Sequence, residues 1–369
     1  MIGRSGISPE RIVLVAGGTG GHIVPALAFG TGMAVCDSRV DLKYVSGGRD
    51  LESEIYSSYG IEPLALPLKG SPAWGGFVTR ISRTWSILVS FFIMLRFFVR
   101  WKPHACVLFG GYVSFPALAA CLILSVPVLV HEQNAKAGKI TRIASFFRKP
   151  VCSGWKTCEP LKKRCFEHTG VPVRIFGNLL PEEAWIKLEY GTECPGSPRI
   201  LVLGGSLASD KLAKLAMGVS RIDEFGEWTF LFPGASDIWK RESANCWLGP
   251  RMWEMDALFS LADIVITRCG ASTLAEIASL GIPAILVPWP DAADDHQTAN
   301  ARAFSEICGA PIVNEKEISA GLLGETLLAV YYSGKNEQAV ICTGKNSADK
   351  AVMKLWNAIR HITEGRDRN

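Results

Sequence analysis

Six consecutive residues, Gly17-Gly18-Thr19-Gly20-Gly21-His22, combine a backbone able to cradle an anion with one titratable ring. They follow the apolar run Ile12-Val13-Leu14-Val15 and precede the helix-like Pro25-Ala26-Leu27-Ala28. A strand feeding such a loop into a helix start aims N–H groups and a positive dipole end at a cleft, which suits a phosphate or a polar sugar. Imidazole is the side chain whose unperturbed pKa lies near neutrality, so a histidine at the mouth of that loop is a candidate general base. The same spacing also fits a tight turn with a helix-capping histidine. It is not the dinucleotide fingerprint, because the third glycine would fall at Ile23.

Further polar groups follow the apolar run Ile264–Thr267, where the chain reads Arg268-Cys269-Gly270-Ala271-Ser272-Thr273-Leu274-Ala275-Glu276. Thr273 and Glu276 have capping-box spacing, which gives Glu276 a purely structural role. Alternatively, its two carboxylate oxygens accept both hydroxyls of a ribose, as acidic residues do in nucleotide sites. Asp294 and Asp295 precede a helical pattern, as the helix dipole favours. Gln297 and Asn300 are three apart, share a helical face and carry neutral amides able to hydrogen-bond sugar hydroxyls.

These residues need a scaffold, and the apolar patterning supplies one. Strands are predicted at Arg11–Val15, Asp41–Val45, Ala105–Phe109, Val126–Val130, Pro150–Ser153 and Val173–Phe176. The pattern restarts with Arg199–Leu203, Thr229–Phe232, Ile264–Thr267 and Ala284–Val287, with helices between, notably Leu274–Leu280 and Asp295–Cys308. Strand–helix alternation predicts an α/β fold of two Rossmann-like, doubly wound parallel sheets facing a cleft, with ligands at the strands' carboxyl ends. The turn at Phe176-Gly177-Asn178 marks the expected boundary: residues 1–176 form one domain and 177–350 the other. A terminal helix within 351–369 is long enough to return to the first domain. A second glycine loop, Gly204-Gly205-Ser206, repeats the strand-to-helix position of the first.

The 369 residues, 48% hydrophobic and 20% charged, describe a globular chain of two domains. A net charge of +4 is too small to argue for nucleic acid. Eleven cysteines are scattered without a repeated C-x-x-C pair, so neither a zinc site nor a disulfide framework is expected. Cys152, Cys158 and Cys165 are the nearest approach to a cluster. The first ten residues are polar and Ile12–Val15 is too short for a secretory h-region, so a mature chain starting near Met1 is expected.

Ala105–Val130 carries no charge and by length could span a bilayer, but Gly110-Gly111, Pro116 and Pro127 divide it into buried α/β pieces. The run Trp85–Trp101 differs: it is apolar on nearly every helical face, with Phe91, Phe92 and Leu95, yet Arg96 interrupts it and Arg100 flanks it. Such a helix is either buried or pressed into lipid, and the basic and tryptophan flanks fit an anionic membrane surface.

Taken in order, several of these segments resemble the MurG glycosyltransferases of bacterial cell-wall synthesis, which have the GT-B fold. The resemblance rests on Gly17–His22 with Pro25-Ala26, Gly110-Gly111-Tyr112-Val113-Ser114 and His131-Glu132-Gln133-Asn134. It continues through Gly177-Asn178, Gly204-Gly205-Ser206, Arg268 with Gly270–Ala278, and Asp295-His296-Gln297-Thr298-Ala299-Asn300-Ala301. It implies inverting transfer of N-acetylglucosamine from UDP-N-acetylglucosamine to the muramoyl C4 hydroxyl of undecaprenyl-linked lipid I, giving lipid II. His22 would be the base, with Glu132 the second candidate. Donor contacts would come from Thr19, Gly20, Asn134, Ser206, Arg268, Ser272, Glu276, Gln297 and Asn300, and a uracil pocket from the Ile264–Arg268 backbone and residues 249–255. Gly18, Gly21, Tyr112 and Asn134 would meet the acceptor, with Thr19 also close to it. No cofactor or metal is expected, the UDP-sugar being a substrate.

The resemblance further implies a peripheral protein on the cytoplasmic face of the bacterial membrane, contacting lipid through Trp85, Phe91, Phe92, Leu95, Arg96 and Arg100. Other cell-wall synthesis proteins are expected partners. Three positions depart from the family. Gly177-Asn178-Leu179-Leu180-Pro181 stands where Gly-Asn-Pro-Val-Arg is usual, without the hinge arginine that sits near the donor diphosphate. Ala208 replaces a glycine of the second loop, so that a Cβ narrows the approach of a phosphate, and Cys269 replaces a small serine or alanine. The departures keep open a second class, a non-catalytic binder of UDP-sugar or polyprenyl pyrophosphate. A diacylglycerol glycosyltransferase is a neighbour in the same fold, against which His131–Asn134 argues.

Overall fold

The computed structural model describes residues 10–37, 39–68, 77–177, 179–188, 194–204, 210–335 and 347–364, with backbone alone at 77–81, 293, 334–335 and 347–349. The chain divides into two compact units, Met1–Arg174 with Ala348–Asn369, and Ile175–Ser347.

In the first unit, seven strands form one sheet: β1 Glu10–Ala16, β2 Val40–Ser46, β3 Leu64–Ala65, β4 Ala105–Gly110, β5 Val128–Glu132, β6 Val151–Ser153 and β7 Glu167–His168, in the order 3-2-1-4-5-6-7. Every pairing is parallel. The central strands β1 and β4 read as continuous apolar runs, as strands covered on both faces do; Ile12 to Ala16 are all fully buried. The helices are α1 Gly20–Cys36, α2 Asp50–Ser58, α3 Phe77–Trp101, α4 Ser114–Leu124 and α5 Lys139–Phe146. The strand order reverses between β1 and β4, the switch point where doubly wound sheets bind ligands.

The second unit has six strands: β8 Arg199–Leu203, β9 Thr229–Pro233, β10 Lys240–Ser243, β11 Cys246–Gly249, β12 Ile264–Thr267 and β13 Ala284–Leu286, in the order 10-11-9-8-12-13. Only β10 and β11 pair antiparallel. Its helices are α6 Pro181–Lys187, α7 Asp210–Ser220, α8 Asp256–Leu261, α9 Ala271–Leu280, α10 His296–Cys308 and α11 Ala320–Lys335. Here the order reverses between β8 and β12. The last helix, α12 Ser347–Glu364, packs within the first unit, where the Val352 side chain lies against Gly32 of α1.

Two expectations are corrected. Val173–Phe176 is an extended connection rather than a strand; the two-residue β7 takes the sheet edge just before it. The β10–β11 pair was not anticipated, since Lys240-Arg241-Glu242-Ser243 is exposed throughout and shows no apolar alternation. The uncharged stretch Ala105–Val130 divides into β4, α4 and the start of β5.

The helix α3 is long and apolar enough to cross a membrane by length and composition. One stripe nevertheless belongs to the core: Ser90, Met94 and Phe98, four apart, are buried with Val113, Ala117 and Cys121. Phe91 and Leu95, expected to face lipid, are partly buried against the same core. Trp85, Leu88, Phe92 and Val99 recur at helical spacing on the outward face, with Arg96 among them, and Phe92 is 59% exposed. Phe98→Ala should therefore lower stability by about 3–5 kcal/mol, whereas Phe92→Ala should stay within about 0.5 kcal/mol. Urea unfolding of the two variants measures the difference.

Candidate active site

The loop after β1 and the loop after β4 meet at the first switch point. A Cβ built on Gly111 would overlap the Gly17 carbonyl, and Gly111 has φ +79, so only glycine fits this backbone-on-backbone contact. A Cβ on Gly110 would lie 2.8 Å from His22 Nδ1, so the imidazole rests directly on the β4 terminus. His22 stands in the first turn of α1, where Thr19 is the N-cap and its carbonyl accepts the N–H groups of His22 and Ile23. Gly20 and Gly21 share that turn, at the positive dipole end.

Glu52, which sequence reasoning passed over, ties three loops together. Fully buried, it accepts the Gly47 N–H at 2.6 Å and the Tyr112 hydroxyl, while Tyr112 lies alongside Gly18. Burial and the Glu52 carboxylate push the Tyr112 phenol above its ordinary value, so it remains a donor. Arg49 adds a bond to the Gly18 carbonyl at 3.1 Å. The available signal was Gly47-Gly48 after a predicted strand, followed by Glu52 in a helix start.

The His131–Asn134 segment leaves β5 at the neighbouring strand end. His22 Nδ1 is 2.9 Å from Gln133 Oε1. Glu132 is 4% exposed and accepts four bonds: Asn134 N–H at 3.0 Å and Nδ2 at 3.1 Å on one oxygen, Gly138 N–H at 2.8 Å and Thr141 Oγ1 at 2.5 Å on the other. A carboxylate offers about four acceptor sites, so its capacity is filled by the loop it holds.

In the second unit, α9 starts at Ala271 with Gly270 as its N-cap, and Ser272 lies in its first turn. Thr273 is therefore inside the helix, and the capping-box reading of Thr273 and Glu276 fails. Glu276 is buried in the second turn. Gln297, in the first turn of α10, accepts the Cys269 N–H at 3.1 Å and the Trp289 N–H at 2.9 Å. Asn300 is fully buried and donates to the Cys269 carbonyl at 3.0 Å. The two amides thus clamp the β12–α9 loop, Asn300 from a fully buried position.

Arg268 does not project as an isolated cation. It forms a buried bidentate pair with Glu315, at 2.8 and 3.1 Å, and also bonds the Val287 carbonyl at 3.1 Å. Burial works to raise the Glu315 carboxyl, but the bond and charge of Arg268, helped by Lys211, hold it below its ordinary value. Ser206, with Gly205, Ala208, Asn178 and Trp74, lies outside the described residues.

Cys152 and Cys158 are buried, which pushes each thiol up to about 12, and Cys165 is exposed. Protonated thiols are poor metal ligands. Among the described residues, no three His, Cys, Asp or Glu side chains are grouped to hold a metal ion.

Residues 12–153 match the glycosyltransferase family 28 N-terminal domain and residues 199–355 its C-terminal domain, so the chain is a two-domain glycosyltransferase. The chain is 33% identical over 337 residues to a UDP-N-acetylglucosamine–N-acetylmuramyl-(pentapeptide) pyrophosphoryl-undecaprenol N-acetylglucosamine transferase of Desulfotalea psychrophila, covering 87% of this chain and 88% of that one. It is also 33% identical to the enzyme of the same name from Desulforudis audaxviator, over 93% and 94% of the two chains. The crystal structure of Acinetobacter baumannii MurG superposes with a TM-score of 0.66 over 96% of this chain and 100% of that one, at 24% identity. The chain belongs to the MurG family of glycosyltransferases.

Removing one partner of the Arg268–Glu315 pair strands a buried charge, so Glu315→Gln should cost about 3–5 kcal/mol, and Arg268→Met with Glu315→Leu together far less. Because the folded carboxyl titrates below its ordinary 4.5, the contribution is fully present above that pH and is lost as acid protonates Glu315. Urea titrations at neutral and acid pH should show the wild-type advantage over Glu315→Gln shrinking towards low pH.

Proposed function

We propose that this chain transfers N-acetylglucosamine from UDP-N-acetylglucosamine to the C4 hydroxyl of the muramoyl unit of lipid I, with inversion. The observation that carries the reaction is the seat of His22, at the start of α1 and against the end of β4, where a switch-point ligand lies. The imidazole takes the C4 hydroxyl proton as that oxygen attacks the anomeric carbon; the bond from the sugar to the β-phosphate oxygen breaks and UDP leaves. The growing charge on the diphosphate is met by oriented N–H groups at helix starts.

His22 is favoured over Glu132 as the base because the four donors on Glu132 already use its acceptor capacity. Glu132 instead shapes the loop carrying Asn134. Gly18, Gly21, Tyr112 and Asn134 meet the acceptor, with Thr19 close to it, and Thr19, Gly20 and Asn134 also contact the donor. Glu276 takes the ribose hydroxyls and Ser272 the donor side of the α9 start. Gln297 turns its remaining amide group towards the sugar, while Arg268 and Asn300 act through the Cys269 loop they brace. Ser206 remains a diphosphate ligand on the family resemblance alone.

Membrane association of the first unit uses the outward face of α3: Trp85, Leu88, Phe92 and Val99 with Arg96 and Arg100. The exposed pair Phe146 and Phe147, near Arg142 and Arg148, adds a second apolar tip.

The reading predicts acceptor-dependent UDP release from UDP-N-acetylglucosamine and a soluble-tailed lipid I analogue, with little from UDP-glucose. His22→Ala should lower turnover by about 10²–10⁴-fold while UDP binding persists. Absence of release from the wild type, with UDP still bound, would favour the binding-protein reading. Separately, polar replacement of Trp85, Leu88 and Phe92 should release a folded protein from anionic liposomes; unchanged partitioning would refute the α3 docking face.

A further inference from the structure

The bond between His22 and Gln133 is the first of a directed series. Gln133 Nε2 lies 2.8 Å from the His131 carbonyl, a group that can only accept, so this end of the amide is the NH2 and the other end is the oxygen. Gln133 Oε1 is therefore an acceptor, and the neutral His22 ring must carry its proton on Nδ1 to make the 2.9 Å bond. The same NH2 lies 3.0 Å from His131 Nδ1, while His131 Nε2 lies 2.9 Å from the Gly170 carbonyl. His131 thus carries its proton on Nε2 and offers a lone pair at Nδ1. Every donor in the series faces an acceptor, and with both rings neutral only one arrangement of protons satisfies all of them.

We propose that Gln133 is a positioning residue that locks His22 in its Nδ1–H tautomer, leaving the Nε2 lone pair to accept the acceptor's hydroxyl proton. The inference rests on His22 being the base. A neutral amide does this without placing a negative charge beside the imidazole, unlike the carboxylate partner of a catalytic triad.

The supporting groups are themselves fixed. Gln133 and His131 are each 1% exposed. Trp155 Nε1 donates to the Gln133 carbonyl at 2.8 Å, and Gly154 lies against that same carbonyl. Burial holds the His131 imidazole down at about 4, so it stays neutral and keeps the lone pair that Gln133 needs. At the far end, Gly170 lies against Ala351 of α12, so the terminal helix buttresses the last acceptor.

The test is ¹⁵N NMR of histidine-labelled protein, with the His22 signals assigned by their loss in His22→Asn. Wild-type His22 is expected as the neutral Nδ1–H tautomer. Gln133→Met, which keeps the length but loses the acceptor, should shift the proton towards Nε2. It should also lower kcat by about 10- to 100-fold, within what a positioned base contributes, with KM for UDP-N-acetylglucosamine unchanged. A wild-type His22 carrying its proton on Nε2, or wild-type kcat in a folded Gln133→Met, overturns the proposal. If Gln133→Met does not fold, the wild-type tautomer decides alone. Full turnover by His22→Ala would instead remove the base assignment, an outcome separable from the tautomer measured in the intact protein.

Discussion

The contact on which the first unit's site depends is between two backbones, the loop after β1 and the loop after β4, packed at Gly17 and Gly111 without room for a Cβ. Parallel pairing of β1 and β4 brings the loops side by side, but strand spacing alone leaves their direction open. The positive φ at Gly110 and Gly111 turns the second loop under the first. His22 then has the β4 terminus as its floor. Glu52 joins the loop after β2 through Gly47 and reaches Tyr112 in the loop after β4. The ends of β2 and β4 are thereby tied by a single buried carboxylate, and the Gly17–Gly111 contact adds the end of β1.

The second unit solves the same problem with side chains. Its β12–α9 loop has non-glycine residues at Arg268 and Cys269, and is pinned by Gln297, Asn300 and the Arg268–Glu315 pair. Each pin comes from an element later in the chain than the loop itself. A loop fixed by glycine contact tolerates almost no substitution at the contact, whereas one fixed by side chains loses its position only as the pins are removed. Cys269, fully buried inside that clamp, has its thiol pushed up by desolvation and acts as a packing atom.

Much of the architecture was readable from the sequence, for a physical reason. Parallel strands buried on both faces are short continuous apolar runs, and their carboxyl ends are marked by glycines and polar residues, so Ile12–Val15 with Gly17–His22 and Ile264–Thr267 with Gly270 stand out. Edge elements did not stand out: β10 is polar and Val173–Phe176 is apolar, yet pairing falls on the former. The partners of site residues were equally hidden. Nothing near Arg268 points to Glu315, 47 positions on, and the capping-box spacing of Thr273 and Glu276 looked complete until the helix began at Ala271. Spacing reports which residues can share a face; it does not report where the first turn starts or which distant side chain arrives to fill a buried bond.

The segment that lacks the family's hinge arginine shows how a change in charge is absorbed. Pro181 occupies the first position of α6, where its missing N–H would have had no helical partner. Glu183 reaches back to the Leu180 N–H at 2.9 Å. The segment therefore carries acidic residues suited to its own helix dipole and unsuited to a diphosphate. In the proposed donor site the charge is then left to oriented backbone N–H groups at helix starts and to Ser206. Such donors are placed by the fold, so they need no reorganisation when charge develops, although each is weaker than a bidentate guanidinium bond. Their effect depends on the loop holding its shape to within a fraction of an ångström. In the proposed donor site the bracing by Gln297, Asn300 and Arg268 would do, through geometry, part of what an arginine does through charge.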